Sequence, residues 1–267
     1  MTQNERLQEL LHTLLAEPQA PQADIPRDIE SQKQLLRALM NIRPPRPVNE
    51  RFLRIQDDYL QEELRHMPIT DAMTLPVIDP HYDMSLWQGD ITTLKADAIV
   101  NAANSALRGC FIPLHSCIDN IIHSRSGIQL RLACDDLMNR QGHEERTGSA
   151  KITPAFNLPC RFVLHTVGPI VQGKVTDQDQ EALASCYRSC LKLALENHCE
   201  SIAFCCISTG EFHFPNELAA KIAVHTVKAF LDAQDQHIRV IFNVFKDIDL
   251  HIYSHLWRTH DGDLADK

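Results

Sequence analysis

Cys110, His115 and Cys117 stand within one short stretch, GCFIPLHSCIDN, at C-x4-H-x-C spacing. Thiolate and imidazole are the donors that zinc prefers. Three such donors, instead of the four of a closed structural site, leave a position for water or substrate, as catalytic zinc sites require. The spacing is no standard finger signature, so the competing account is two packed thiols and a surface histidine. On the metal account the cofactor is Zn2+, which this donor set favours over iron. Asp119 follows two residues later, at the expected start of a helix. There a carboxylate complements the helix dipole, and beside a metal it can also orient or deprotonate a water.

Other polar residues fall at the ends of apolar runs. Asn101 and Asn104 flank two alanines after DAIV, and their amides can serve sugar hydroxyls or bond their own turn. Gly89, Asp90 and Ile91 follow LWQ. A carboxylate there accepts from an exocyclic amine such as that of adenine, or caps its own turn. In ISTGEFHFP, Ser208, Thr209 and Gly210 offer hydroxyls and closely approachable amides suited to a diphosphate. Phe212 and Phe214 either cover a sugar or base, or pack. Cys134, Cys160, Cys186, Cys190 and Cys199 lack comparable neighbours and read as packing residues.

These groups need a scaffold that brings them to one place. From Met84 onward, short β-branched or aromatic runs (84–88, 97–102, 150–155, 162–167, 201–208 and 240–245) alternate with helical stretches near 117–139, 179–197, 216–233 and 247–258. The alternation predicts a three-layer α/β/α sandwich around a mixed, largely parallel sheet. Such sheets bind ligands beyond the carboxyl ends of their strands, and the polar motifs follow the strands. Upstream, Leu7, Leu10, Leu11, Leu14 and Leu15 mark one helix, and Leu35, Leu36, Leu39 and Met40 a second. Asn49 caps a third that carries Phe52, Ile55 and Tyr59. Three short helices are too little to form a core alone. The expected organisation is a helical extension over 1–80, packed on a main domain over 81–267, with partner docking as the other use of the extension.

Composition limits the rest. Of 267 residues, 44% are apolar and 23% charged, ordinary for a globular chain. The net charge of −9 argues against a broad nucleic-acid-binding face. No apolar run is long enough for a membrane span, and no basic segment followed by an apolar stretch opens the sequence. Nine cysteines, an odd number, fit reduced thiols and a cytoplasmic location.

In combination, GDIT at 89–92, DAIVNAAN at 97–104, GCFIPLHSCIDN at 109–120, LHTVGP at 164–169 and ISTGEF at 207–212 resemble the macrodomain family. Within it they resemble the microbial zinc-dependent class that removes ADP-ribose from proteins. Better-known macrodomains carry a glycine run before Val-Asp; here a longer Cys/His loop stands in its place and the acid is Asp119. The resemblance implies that Gly89, Asp90 and Ile91 hold the adenine end of ADP-ribose. It places Asn104 at the distal ribose, as a catalytic residue together with Asp119. It implies zinc on Cys110, His115 and Cys117, with Cys117, Ile118 and Asp119 lining the ligand. Ser208, Thr209, Gly210, Glu211 and Phe212 would close over the diphosphate and distal ribose. The implied activity is hydrolysis of mono-ADP-ribose from protein side chains, Asp- or Glu-linked, at the distal ribose. A non-catalytic ADP-ribose reader and a phosphohydrolase of a phosphorylated ADP-ribose metabolite are the rivals. The implied partners are an ADP-ribosylated protein, a sirtuin-type ADP-ribosyltransferase and a lipoyl-carrier protein.

Overall fold

The computed structural model describes residues 1–262; residues 263–267, the end of the expected main domain, lie outside the described residues. The chain opens with helices α1 (Gln3–Leu15), α2 (Ile29–Ile42) and α3 (Glu50–Arg65). Each begins at a side-chain cap. Thr2 forms a capping box with Glu5, Asp28 accepts from the Ser31 amide, and Asn49 accepts from the Phe52 amide at 2.8 Å. Such caps satisfy amides that have no partner inside the helix.

The alternating part then forms β1 (Thr70–Asp71), β2 (Met84–Gln88), β3 (Leu94–Lys95), β4 (Ala98–Ala103), α4 (Ile118–Ser126), α5 (Ile128–Gln141), β5 (Ala150–Pro154) and β6 (Phe162–Val167). It finishes with α6 (Asp177–Glu196), β7 (Ser201–Phe204), α7 (Asn216–Asp232), β8 (Arg239–Val244) and α8 (Asp247–Gly262). Six strands build one sheet in the order β2-β8-β7-β4-β6-β5. All neighbours are parallel except β5, which pairs antiparallel with β6 at one edge. Every residue of β7 and β8 is buried, as expected of strands with helices on both faces. The three-layer mixed sandwich is therefore present.

Three details depart from the sequence expectation. The helix expected over 117–139 is two helices, because Gly127 has φ +96° and cannot continue an α-helix. A Cβ there would also lie 2.6 Å from the side chains of Gln56 and Gln129. The run 201–208 keeps strand geometry only to Phe204. Beyond Ile99, β4 pairs with β6 alone, so β4 and β7 part at the middle of the sheet, the place where open α/β sheets have their ligand crevice. β1 and β3 form a short parallel pair outside the main sheet, which the sequence did not indicate.

The main core lies on both faces of the sheet, with Ile99, Val100, Leu164, Tyr187, Phe204 and Phe242 all but inaccessible. The first three helices bury more among themselves than their length predicts: Leu7, Leu10, Leu11, Leu36, Phe52 and Tyr59 form a small second cluster. Ile128 of α5 completes it from the main domain. Polar contacts reinforce the junction: Gln56 accepts from the Ile128 amide at 3.0 Å, and Gln61 donates to the Asn157 carbonyl at 3.1 Å. Among the described residues, no helix is long and apolar enough to cross a membrane.

Candidate functional site

Parallel pairing puts the carboxyl ends of β2, β8, β7, β4 and β6 on the same side. Gly89 and Asp90, Phe245, the 205–212 loop, Asn104 and Gly168 all leave the sheet there. The chain moves from β4 to one flank for β5 and β6, then crosses to the other flank for β7 and β8. Ligands in open α/β sheets bind at such a reversal point. It lies at the end of β4, where the loop to α4 carries Cys110, His115 and Cys117.

The donor atoms of Cys110, His115 and Cys117 all lie within 4.8 Å of one another, and the three side chains are half-buried. Around a tetrahedral zinc, bonds of about 2.0–2.3 Å set donors about 3.3–3.8 Å apart, so modest contraction brings this trio around one ion. His115 Nδ1 is buried without a hydrogen-bond partner, as a lone pair reserved for a metal would be. Burial, reinforced by the neighbouring Cys110 thiol, pushes the Cys117 thiol up to about 12 when no cation is there to stabilise its thiolate. The residues present fit a zinc ion.

A second group, His123, Cys134 and His165, is equally close but fully enclosed. Both nitrogens of His165 are already engaged, Nδ1 by the Asn101 amide at 3.1 Å and Nε2 by Thr153 Oγ1 at 3.0 Å. His165 is thus held by hydrogen bonds to its buried neighbours, whereas both nitrogens of His123 are buried without a hydrogen-bond partner, Nε2 lying 3.5 Å from Asp119.

Asp119, in the first turn of α4, is 4% exposed. Burial raises its carboxyl to about 6, against the opposing effects of the Asn101 hydrogen bond and the Arg131 charge. Asn101 Nδ2 donates to Asp119 Oδ1 at 2.8 Å, Asn104 Nδ2 reaches Oδ2 at 3.5 Å, and His123 Nε2 lies 3.5 Å from Oδ1. Both asparagines thus address the carboxylate, but differently. Asn101 is wholly inaccessible and does not face the crevice. Asn104 is half-buried, and its Oδ1 accepts from the Ala106 amide at 3.0 Å, the turn-forming role. Ile118, beside Asp119, is half-buried against the core.

Asp90 does cap its own turn, one oxygen accepting from the Thr92 amide at 2.9 Å and from its hydroxyl at 2.6 Å. The other oxygen stands 3.8 Å from Arg125 of α4 and keeps acceptor capacity. Ile91 is buried, so only its backbone is available there. In the 207–212 loop, Ser208 is in the left-handed region at φ +65°. The Thr209 hydroxyl donates to the Cys206 carbonyl at 3.0 Å, whereas the amides of Gly210, Glu211 and Phe212 have no partner among the described residues. Consecutive free amides form a concave anion cradle. Glu211, on this loop, lies 3.9 Å from His115 Nε2, which brings the cradle against the Cys/His loop. Phe212 is half-exposed over the loop, but Phe214 is a core residue.

Two residues escaped sequence reasoning. A Cβ on Gly168 would sit 2.0 Å from Ser208 Oγ, so only glycine lets the turn after β6 support the 208–212 loop; the GP pair following FVLHTV was the available signal. Phe245 follows β8 and is 74% exposed, beside the turn where the Gly89 amide donates to the Val244 carbonyl at 3.0 Å.

A Macro domain family model matches residues 100–223, from β4 into α7. A Treponema medium protein named protein-ADP-ribose hydrolase is 54% identical over 259 residues, covering 96% of this chain and 99% of that protein. The chain belongs to the macrodomain family. An alignment of that length takes in the N-terminal helices of this macrodomain as well as its sheet. A Staphylococcus aureus protein of the same name is 47% identical over 230 residues, 86% of each chain. Among solved structures, a Trypanosoma brucei macrodomain in complex with ADP-ribose superposes on this macrodomain with a TM-score of 0.65. It is 28% identical, over 82% of this chain and 94% of that one.

Proposed function

We propose that this macrodomain is a zinc-dependent hydrolase that releases mono-ADP-ribose from Asp- or Glu-linked protein side chains by cleavage at the distal ribose. The observation that carries this reading is the convergence of Cys110, His115 and Cys117 beside a buried carboxylate, Asp119, and an open amide cradle. Cys110, His115 and Cys117 would hold the ion, which when bound supplies Lewis acidity to a ribose hydroxyl or water. The free oxygen of Asp90 accepts from the adenine amine, and the exposed Phe245 ring lies open for the base. The Gly210, Glu211 and Phe212 amides hold the diphosphate, with the Ser208 and Thr209 hydroxyls beside them. Asn104 orients the distal ribose. Asp119 takes the proton of the attacking water, and the Asn101 hydrogen bond fixes its rotamer for that transfer. The modified partner in this reading is a lipoyl-carrier protein served by a sirtuin-type transferase, as the motif resemblance implies.

The test is release of free ADP-ribose from a protein mono-ADP-ribosylated on Asp or Glu, before and after metal removal. Release that stops on chelation and returns with zinc is the expected result. Tight ADP-ribose binding without release from the zinc-loaded protein would make this chain a reader. Inorganic phosphate release from a phosphorylated ADP-ribose metabolite would make it a phosphohydrolase.

The cradle has its own test. Gly168→Ala drives a methyl group into Ser208 Oγ, and the 208–212 loop must shift outward. ADP-ribose affinity by calorimetry is expected to fall about tenfold, the loss of one charge-assisted hydrogen bond, with zinc content unchanged. Unaltered affinity would remove the loop from the diphosphate site.

A further inference from the structure

The Cys/His loop contains little that could shape it from within. Between Gly109 and Cys117 its own backbone supplies one weak turn bond, His115 amide to Ile112 carbonyl at 3.3 Å. Leu114 has φ +56°, a region that a branched L-residue seldom adopts. A conformation of this kind persists only where the surroundings enforce it.

Arg131 of α5 holds the start of the loop, donating to the Arg108 carbonyl at 2.7 Å and the Cys110 carbonyl at 3.4 Å and lying over the Phe111 ring; the N-terminal extension holds the rest. On α2, Arg37 and Asn41 are four residues apart and share one helix face. Arg37 Nη2 donates to the His115 carbonyl at 2.7 Å and to Asn120 Oδ1 at 2.8 Å, bridging the two sides of Cys117. Asn41 Oδ1 accepts from the amide of Leu114 at 3.0 Å, the residue with the unfavourable backbone. Asn41 Nδ2 donates to Ser124 Oγ at 2.9 Å, and that hydroxyl donates to the Asn120 carbonyl at 2.7 Å. Asn120 in turn donates to the Ile112 carbonyl at 2.9 Å. Residues before, at and after His115 are thereby tied to one helix that lies more than seventy positions upstream.

We infer that the N-terminal extension is a working part of the site, with Arg37 of α2 as the positioning residue that holds the Cys/His loop in its metal-accepting shape. The inference rests on the reading of that loop as the metal site. Arg37 hydrogen-bonds none of the three donor atoms; its hydrogen bonds go to the His115 carbonyl and Asn120. Partners of this kind set ligand orientation, and their loss costs roughly 10-fold to 100-fold in metal affinity.

The experiment uses the full chain and three variants. Arg37→Met keeps the aliphatic stem and removes both hydrogen bonds, while Arg37→Lys can restore one of them. Gln61→Ala breaks a contact between extension and main domain far from the loop and controls for loosened docking. Zinc affinity is read by competition with a chromophoric chelator, and amide exchange is followed across residues 112–120. Arg37→Met is expected to weaken zinc about 10-fold to 100-fold and speed exchange in the loop, Arg37→Lys to fall between, and Gln61→Ala to match wild type in both. If Arg37→Met does not fold, Arg37→Lys against Gln61→Ala decides. Wild-type zinc affinity and loop protection in the Arg37 variants would overturn the inference. A wild-type protein that takes up no zinc would remove the metal proposal, and exchange in the loop would then decide Arg37's role by itself.

Discussion

With Cys117 replaced by alanine, the protein is expected to keep its fold, to retain no zinc through gel filtration, and to release ADP-ribose at least about 1,000-fold more slowly. The three donors have no redundancy among the described residues, because the other His/Cys group is enclosed and its His165 is already hydrogen-bonded. Two ligands do not hold zinc against dilution. On the proposed mechanism, loss of the ion would remove several kcal/mol of transition-state stabilisation, and at about 1.36 kcal/mol per factor of ten about 4 kcal/mol corresponds to three decades. Cys117 has a second role, since its Sγ caps α4 by accepting from the Asn120 amide at 3.5 Å. Losing a cap costs about 1 kcal/mol, too little to unfold the chain but enough to cloud the interpretation. Cys117→Ser separates the roles: its hydroxyl caps the helix but is a poor zinc ligand. Metal analysis alongside chromatographic ADP-ribose release should find the serine variant as inactive as the alanine one. Full activity in either would sink the zinc mechanism.

Replacing Asp119 with asparagine should give the opposite pairing, with zinc retained and turnover lost. The amide matches the carboxylate in volume, and its Oδ1 can still accept from Asn101 Nδ2, now 2.8 Å from the carboxylate. Asp119→Ala would instead remove one of the two partners of the buried Asn101 amide, leaving it only His165 Nδ1, which adds a desolvation cost unrelated to chemistry. Asparagine cannot accept the proton, and a positioned general base contributes about 100-fold to 10,000-fold. Single-turnover release is expected to slow by that factor, with one equivalent of zinc bound and ADP-ribose affinity within about threefold of wild type. A variant that loses zinc along with activity would make Asp119 a structural support of the metal loop. A variant with wild-type turnover would take the base elsewhere.

Much of this protein follows from short-range rules. The runs MSLWQ and FVLHTV are strands at the predicted residues, and Asn49 caps α3 as predicted, because a cap or a β-branched run is decided by immediate chain neighbours. Alternation of strands and helices was enough for a largely parallel sheet, and parallel pairing fixes which turns share an edge. The Cys110, His115 and Cys117 set was legible because all three lie in one loop and carry distinctive chemistry.

What remained hidden depends on residues far apart in the chain. Asn101 and Asn104 look equivalent in DAIVNAAN, yet sheet register buries the first against Asp119 and leaves the second at the crevice. The break at Gly127 needed Gln56, from α3, to fill the space of its missing side chain. The need for glycine at 168 came from Ser208, on another strand's loop. Arg37 reads as one more polar residue on an amphipathic helix until packing brings it to the His115 carbonyl. The sequence by itself determined most of the elements and which residues offer donors and acceptors to the proposed site, since propensity, capping and ligand type are local properties. Only the tertiary structure decided which polar groups are buried together and what holds the loop in place, because those depend on packing between segments that the chain keeps apart.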